Sequence, residues 1–401
     1  MTAEIKETPL HETHAKLGAT FTDFGGWDMP LKYGSELAEH RAVREAAGIF
    51  DLSHMGEVRI TGAGAAAFLD YALVAKYSSM KVGKAKYGVI VNEQGYLLDD
   101  LITYRLGEEE FLIVPNASNT PAVVEALQDR LQTFLTEVEP GADVRMFDES
   151  GDTALIAVQG PHSQAIILAA LDEGAKGEFG PRTTTSDEDP SGTITVGEAV
   201  DQLGYYAWMP LTIAGIDLIL ARTGYTGEDG FELYVPNIGA ERLWDTLVTA
   251  GADHGLVPCG LAARDSLRLE AGMPLYGNEL TVSTTPYDAG LGRMIGFKTK
   301  GEFVARDALA ALGETEPERI LVGLTATGRR AARSGSVILS DGAEVGVVTS
   351  GQPSPTLGHP IALAYLDRGL AVPGTEVEVD IRGKAHEFTV VELPFYRRSE
   401  N

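Results

Sequence analysis

Cysteine is almost absent: Cys259 stands alone in 401 residues. That excludes an internal disulfide and any cysteine-rich metal site, and it is consistent with a reducing cytoplasm. The nearest basic group before it, His254, lies more than a helical turn away, so Cys259 reads as a small packing residue rather than a nucleophile. No run of about 18 or more apolar residues occurs, and no membrane-spanning helix is expected. The opening "MTAEIKETPLHETH" lacks the basic and apolar regions of a signal peptide and the arginine-rich character of a transit peptide. A cytoplasmic protein is therefore expected. Positive charge is scarce, with 58 acids against 32 bases and a net charge of −26. Nucleic-acid binding needs a positive footprint, so no nucleic-acid partner is expected.

Several catalytic signatures are missing too. There is no Gly-x-Ser-x-Gly elbow and no Gly-Lys-Ser/Thr phosphate loop. "GAGAAAF" at Gly62 lacks the third glycine of a dinucleotide loop and reads as a strand-to-helix turn. "RTGYTGEDGFELY" spaces Gly224, Gly227 and Gly230 evenly, but Glu228 and Asp229 inside it would repel phosphate. His11 and His14 sit at helical spacing without a companion cluster and read as solvated; no metal is expected. His54, between apolar residues, reads as a satisfied buried histidine.

What is present is a mixed α and β pattern without the regular alternation of a doubly wound sheet. "SELAEHRAVREAAGIFDLS" reads as a helix capped by Ser35 and stopping near Gly48. "GEVRITG" alternates like a strand, and "KYGVIVNEQGYLLDDLITYRL" reads as two strands joined by a turn over Asn92–Gly95. "EEFLIVPN" is a third strand; "TPAVVEALQDRLQTF", "GAERLWDTLVTAGADHG" and "LAARDSLRLEAGM" are helices. Thr183 to Ser191 reads as an acidic surface loop. From about Glu318 onward, short strands and turns, with a hairpin signal at Asp341–Gly342, read as a small antiparallel β-barrel or sandwich. The boundary falls in "LGETEPER", separating a region 1–312 from a domain 318–401.

"GYLLDDLITY" raises the functional question. Side chains alternate across a strand, so Leu98, Asp100, Ile102 and Tyr104 share one face and Leu97, Asp99, Leu101 and Thr103 the other. One acid beside a tyrosine on a half-buried surface describes a pocket; the alternative is an acid capping a nearby backbone amide. Tyr225 with Glu232, and Arg264 with Arg268, are further candidates. The two arginines are four apart and project from one helix face, where they could hold a dianionic tail or join an exposed ion-pair ladder with Asp265 or Glu270.

"FTDFGGWDMPL", "GIFDLSHMGE", "LLDDLITY", "ALIAVQGP", "ARTGYTGEDGFELY", "GLAARDSLRLEAG", "LYGNEL", "TSGQPSPTLGHPIALAYL" and "PFYRR" occur in that order over Thr8 to Arg397. In this the chain resembles the aminomethyltransferase (T-protein) family of the glycine cleavage system. The resemblance implies an α+β, three-lobed, cloverleaf-like folate-binding fold, with two interleaved mixed α/β lobes and a C-terminal antiparallel β-barrel. It implies tetrahydrofolate as co-substrate and the lipoylated H-protein as partner. The methylene of the aminomethyl group on the dihydrolipoyl arm would pass to tetrahydrofolate, giving 5,10-methylenetetrahydrofolate and ammonia. Asp100 would be the catalytic group, orienting the folate amine, taking its proton or stabilising cationic charge at the transferred carbon. Met55, Tyr87, Tyr104, Tyr206, Tyr225, Glu232, Arg264 and Arg397 would bind folate. The acidic stretch Thr183–Val200 departs from the family pattern as an insertion. Docking of an acidic partner would need a local basic patch, for which Arg329, Arg330, Arg333, Arg397 and Arg398 are the candidates. Two rival readings are a folate-dependent demethylase of a small amine or sulfonium compound, and a folate-binding accessory of iron–sulfur assembly. "AGMPLYGNEL" lacks the cysteine that the second would carry.

Overall fold

A computed structural model describes residues 5–171 and 195–398. The acidic Thr183–Ser191 stretch lies outside them, but its C-terminal flank does not. Val196–Gln202 is a helix closed by a capping box between Thr195 and Glu198, so the expected insertion region ends in regular structure.

The chain divides into two compact units. The first takes the described residues of 1–54, 152–224 and 228–261. Its six-stranded sheet runs in the order Trp208–Ile213, Ile216–Ala221, Gly230–Pro236, Thr153–Gln159, Ala47–Asp51, Leu256–Pro258. Only the last pair is parallel. Every residue of Ala47–Asp51 is buried. This explains why the Ser35-capped helix Glu36–Glu45 ends before Gly48: the following residues are drawn into the sheet. A side chain at Gly48 would lie 2.6 Å from the Cys259 sulfur. Cys259 is buried and burial pushes its thiol pKa up, as suits a packing residue.

His14 is not solvated. It has no exposed surface, and Asp51 Oδ2 at 2.9 Å and the Tyr33 hydroxyl at 2.8 Å hold its two ring nitrogens. Its helical spacing from His11 carried no sign of partners 19 and 37 residues away. The acids of the "GEDG" loop are ion-paired rather than bare: Arg44 binds Glu228 at 2.9 Å, and Arg222 grips both oxygens of Asp229.

The second unit takes 55–151, 225–227 and the described residues of 262–401. A five-stranded antiparallel sheet runs Ala85–Val91, Leu97–Gly107, Glu110–Pro115, Val58–Thr61, Arg145–Asp148. Phe68 and Leu69 of helix Ala65–Ala72 and Leu127 of helix Thr120–Thr133 bury against Leu101, Phe111 and Ile113 of the sheet. Gly62 makes the strand-to-helix turn at φ +113°, where a Cβ would meet the Asp143 carbonyl oxygen at 2.1 Å. Val89, Val91 and Leu97 pack in a second cluster with Leu280, Ile295 and Leu309. Residues 313–318 join helix Arg306–Leu312 to a closed barrel of six strands from Arg319–Thr325 to Ala385–Val391. Asp341 and Gly342 both have positive φ, which forms its expected hairpin turn.

Candidate functional site

The strand Leu97–Gly107 keeps the face assignment its text predicts, up to one residue. Leu97, Asp99, Leu101 and Thr103 are fully or almost fully buried, while Leu98, Asp100 and Ile102 keep partial exposure. Tyr104 breaks the pattern and has no exposed surface, contrary to the expectation that it shares an open face with Asp100. The register gives the reason. Tyr104 has Ala85 on one side and Leu112 on the other, whereas the strand beyond Asp100 has already ended at Pro115, opposite Leu101.

The gap at that strand end is filled by Asn116, which the sequence reading did not single out. Its backbone N–H donates to Asp99 Oδ2 at 2.8 Å. Its side-chain amide reaches Asp99 Oδ1 at 2.9 Å, Asp100 Oδ1 at 2.8 Å and the Asp100 carbonyl at 3.0 Å. Asn119 adds a donor to Asp99 Oδ1 at 2.7 Å. The two acids, on opposite faces, are thus tied together at the strand end. Amide capping does occur here, but on Asp99. Asp100 keeps its second oxygen for the Tyr87 hydroxyl, which donates at 2.9 Å. The available signal was "PNASN", a strand-ending proline followed by two amide side chains.

Burial pushes both carboxyls above the usual carboxylate range, and the two negative charges, held by one Asn116 amide, oppose each other's ionisation. The donors from Tyr87, Asn116 and Asn119 oppose that rise. Tyr276, whose hydroxyl donates to the Leu97 carbonyl at 3.1 Å, is pushed up to about 12 by burial and then by the charges of Asp99 and Asp100.

Tyr225 stands near the same pair. Its pKa is raised chiefly by burial, with Asp100 among the further causes. Its hydroxyl donates to the Pro274 carbonyl, and the Arg264 guanidinium lies 4.6 Å from its ring centre. Arg268, expected beside Arg264 as an anion ligand or exposed ladder rung, is neither. It is 1% exposed and bound to Asp265, Glu279 and Ser350. Glu270, the other suggested rung, has no exposed surface and accepts from Ser354 and Thr356. Met55 is partly exposed, and the amide of Gly56 beside it donates to the Pro115 carbonyl at 3.1 Å, one residue before Asn116. Arg397 is exposed, one residue after Tyr396, whose amide donates to the Glu270 carbonyl. Glu232 and Tyr206 belong to the first unit. There Glu232 is buried and accepts from the Thr223 hydroxyl, and Tyr206 has φ +55° with its ring edge-on to Tyr205.

Tyr87 also lines a cleft of about 950 Å³ in the second unit, with Lys76, Lys86, Arg293 and Lys298 among the lining residues. Four cations around one cleft form a local exception in a chain of net charge −26. The basic texts "KVGKAKYG" and "GRMIGFKTKG" were its unread signal. Among the described residues no group of three or more His, Cys, Asp or Glu side chains could hold a metal ion, and no helix is long and apolar enough to cross a membrane.

Comparison with known proteins completes the description. The GCVT N-terminal domain model matches residues 10–180 and 193–299, leaving unmatched 181–192, which overlaps the acidic stretch Thr183–Val200. The glycine cleavage T-protein C-terminal barrel domain model matches 319–397. The aminomethyltransferase of Corynebacterium jeikeium is 54% identical over 99% of this chain and 100% of its own length. That of Streptomyces avermitilis is 52% identical over 98% of each. Among solved structures, the glycine cleavage system aminomethyltransferase T of Bartonella henselae is similar with a TM-score of 0.83 and 35% identity over 98% of each chain.

Proposed function

Because the chain belongs to the glycine cleavage T-protein family, we propose that Asp100 manages the proton and charge of its reaction, aminomethyl transfer within the glycine cleavage system. Tetrahydrofolate would supply the amine nitrogen that accepts the transferred carbon. The observation that carries this reading is the setting of Asp100: a residue of partial exposure whose carboxyl is raised in proton affinity by burial and aimed by Tyr87 and Asn116. A carboxylate so held is a competent proton acceptor near neutral pH, and fixed negative charge stabilises a developing cation more strongly there than in water.

The residues around Asp100 fit a folate. Tyr225 offers a ring face backed by Arg264, suited to stacking an aromatic heterocycle. Met55 adds an adaptable apolar contact. The lysines and arginine of the Tyr87 cleft suit the anionic tail of the ligand. Tyr104, being buried, would support the strand from within. Glu232 and Tyr206 are carried over from the family on sequence, as is Arg397; Glu232 would accept from N–H donors of the pterin.

The partner would be the lipoylated H-protein, and a cytoplasmic setting accords with the single buried cysteine. Arg329, Arg330 and Arg333 are exposed on the chain between barrel strands Arg319–Thr325 and Val337–Ser340, and with Arg397 and Arg398 they would form its docking patch. Charge reversal at Arg329 and Arg330 should raise the KM for the carrier protein and leave folate affinity unchanged. Unchanged carrier kinetics would remove the patch from the account. The activity itself is tested by turnover of an aminomethylated lipoyl carrier with and without tetrahydrofolate. Ammonia release that depends on folate is expected. Turnover of a small methylated amine or sulfonium compound, with none of the carrier, would favour the demethylase reading.

A further inference from the structure

The pairing of Asp99 with Asp100 has a consequence beyond the role given to Asp100, on which it rests. Among the described residues, Asp99 Oδ1 and Oδ2 face N–H donors only, from Asn116 and Asn119. An N–H cannot accept, so a proton placed on Asp99 would find no partner among those contacts. Asp100 is different. Its Oδ1 faces the Asn116 amide, but its Oδ2 faces the Tyr87 hydroxyl, which can donate to a carboxylate or turn and accept from a carboxyl. One amide nitrogen touches both acids at 2.9 and 2.8 Å, which puts the two carboxyl oxygens within ~6 Å, the range in which like charges couple strongly.

We propose that Asp99 is a positioning residue that stays ionised and, across the Asn116 amide, raises the proton affinity of Asp100, making Asp100 Oδ2 the seat of the pair's single exchangeable proton. The groups facing the pair fit this assignment. Tyr87 comes from the neighbouring strand, Asn116 and Asn119 follow the strand Glu110–Pro115, and Tyr276 is anchored to the Leu97 carbonyl. Tyr225 approaches with the Arg264 guanidinium on its ring and the charge of Arg268 nearby. Tyr225 and Tyr276, both raised by burial, are neutral near pH 7, so Asp99 supplies the adjoining negative charge. A structural cap would need only its hydrogen bonds; a tuning group needs its charge.

The test is the Asp99→Asn variant, which keeps shape and removes charge. The acid limb of its kcat/KM profile for tetrahydrofolate should move about 1–2 pH units lower, as expected for loss of a near like charge. Folate affinity at pH 8 should be retained, while the melting midpoint should fall, because the new amide NH2 must face one of the N–H donors that the carboxylate accepts from. An acid limb that stays in place in folded Asp99→Asn would overturn the proposal. Should that variant not fold, carbon-13 titration of aspartate-labelled wild-type protein answers the same question. The expected result, with the signals assigned by their loss in Asp100→Asn, is that Asp100 titrates well above the ordinary range while Asp99 stays ionised; the raised titration falling on Asp99 would overturn the proposal. Two independent titrations in the ordinary range would refute it. This titration measures coupling whether or not Asp100 is catalytic. Activity retained by Asp100→Asn would instead sink the reading of Asp100 and leave the measured coupling standing.

Discussion

Arg264 and Arg268 sit one helical turn apart in very different surroundings. Arg268 is 1% exposed, and its guanidinium donates to Asp265 at 2.8 Å, to Glu279 at 2.9 Å, to Ser350 at 2.8 Å and to the Met273 carbonyl at 3.1 Å. Glu279 is fully buried, so Arg268→Met would strand its carboxylate without a countercharge. Removing one member of a buried pair costs about 3–5 kcal/mol. At ~2–4 °C for each kcal/mol in a unit of this size, the melting midpoint should fall by roughly 6–20 °C. Replacing both, as Arg268→Met with Glu279→Leu, should recover most of that loss, because no charge is left buried. Arg264→Met should behave the other way. Its guanidinium lies on the Tyr225 ring, so folate affinity should fall while the midpoint moves by no more than ~0.5 kcal/mol equivalent. The assays are calorimetry for stability and fluorescence titration for folate. If Arg268→Met kept its midpoint and lost folate affinity, the division of labour argued here would be wrong.

Two further outcomes follow from the charges. Tyr87→Phe removes a donor that holds the Asp100 proton affinity down. The acid limb of its rate profile should therefore move to higher pH, opposite to Asp99→Asn; a shift to lower pH would contradict the assignment. Glu57 is buried, both its carboxyl oxygens lack a hydrogen-bond partner among the described residues, and burial, then Asp148 and Glu149, raise its pKa well above 4.5. The folded state thus binds a proton that the unfolded state releases, so this group's contribution to stability declines as pH rises above 4.5. In urea melts at several pH values, Glu57→Gln should lose that decline and be the more stable protein at pH 8. A parallel decline in both proteins would show that Glu57 titrates normally.

The parts of the molecule that sequence alone made legible were those governed by short-range periodicity. Alternation along "LLDDLIT" placed Asp99 and Asp100 on opposite faces, and the Asp341–Gly342 turn announced its hairpin. Asn116 was hidden because its contact with Asp100 spans 16 residues and depends on the register of the strand Glu110–Pro115, which a turn and a bulge near Gly107 determine. His14 failed for the same reason: nothing at helical spacing shows that Asp51 and Tyr33 will converge on it. Equal spacing misled at Arg264 and Arg268. The helix places both on one side, but Glu279, from the irregular chain that follows, claims only the second. The family resemblance supplied the activity, which no local pattern carried.

The central claim is that the carboxylate of Asp100 does chemical work, rather than merely closing a strand end. Single-turnover methylene transfer from an aminomethylated lipoyl carrier by Asp100→Asn, with folate binding measured on the same sample, tests it most directly. The account predicts a rate lower by about 10²–10⁴-fold, with folate bound and the fold intact. A rate within about threefold of wild type would leave Asp100 no role in the chemistry.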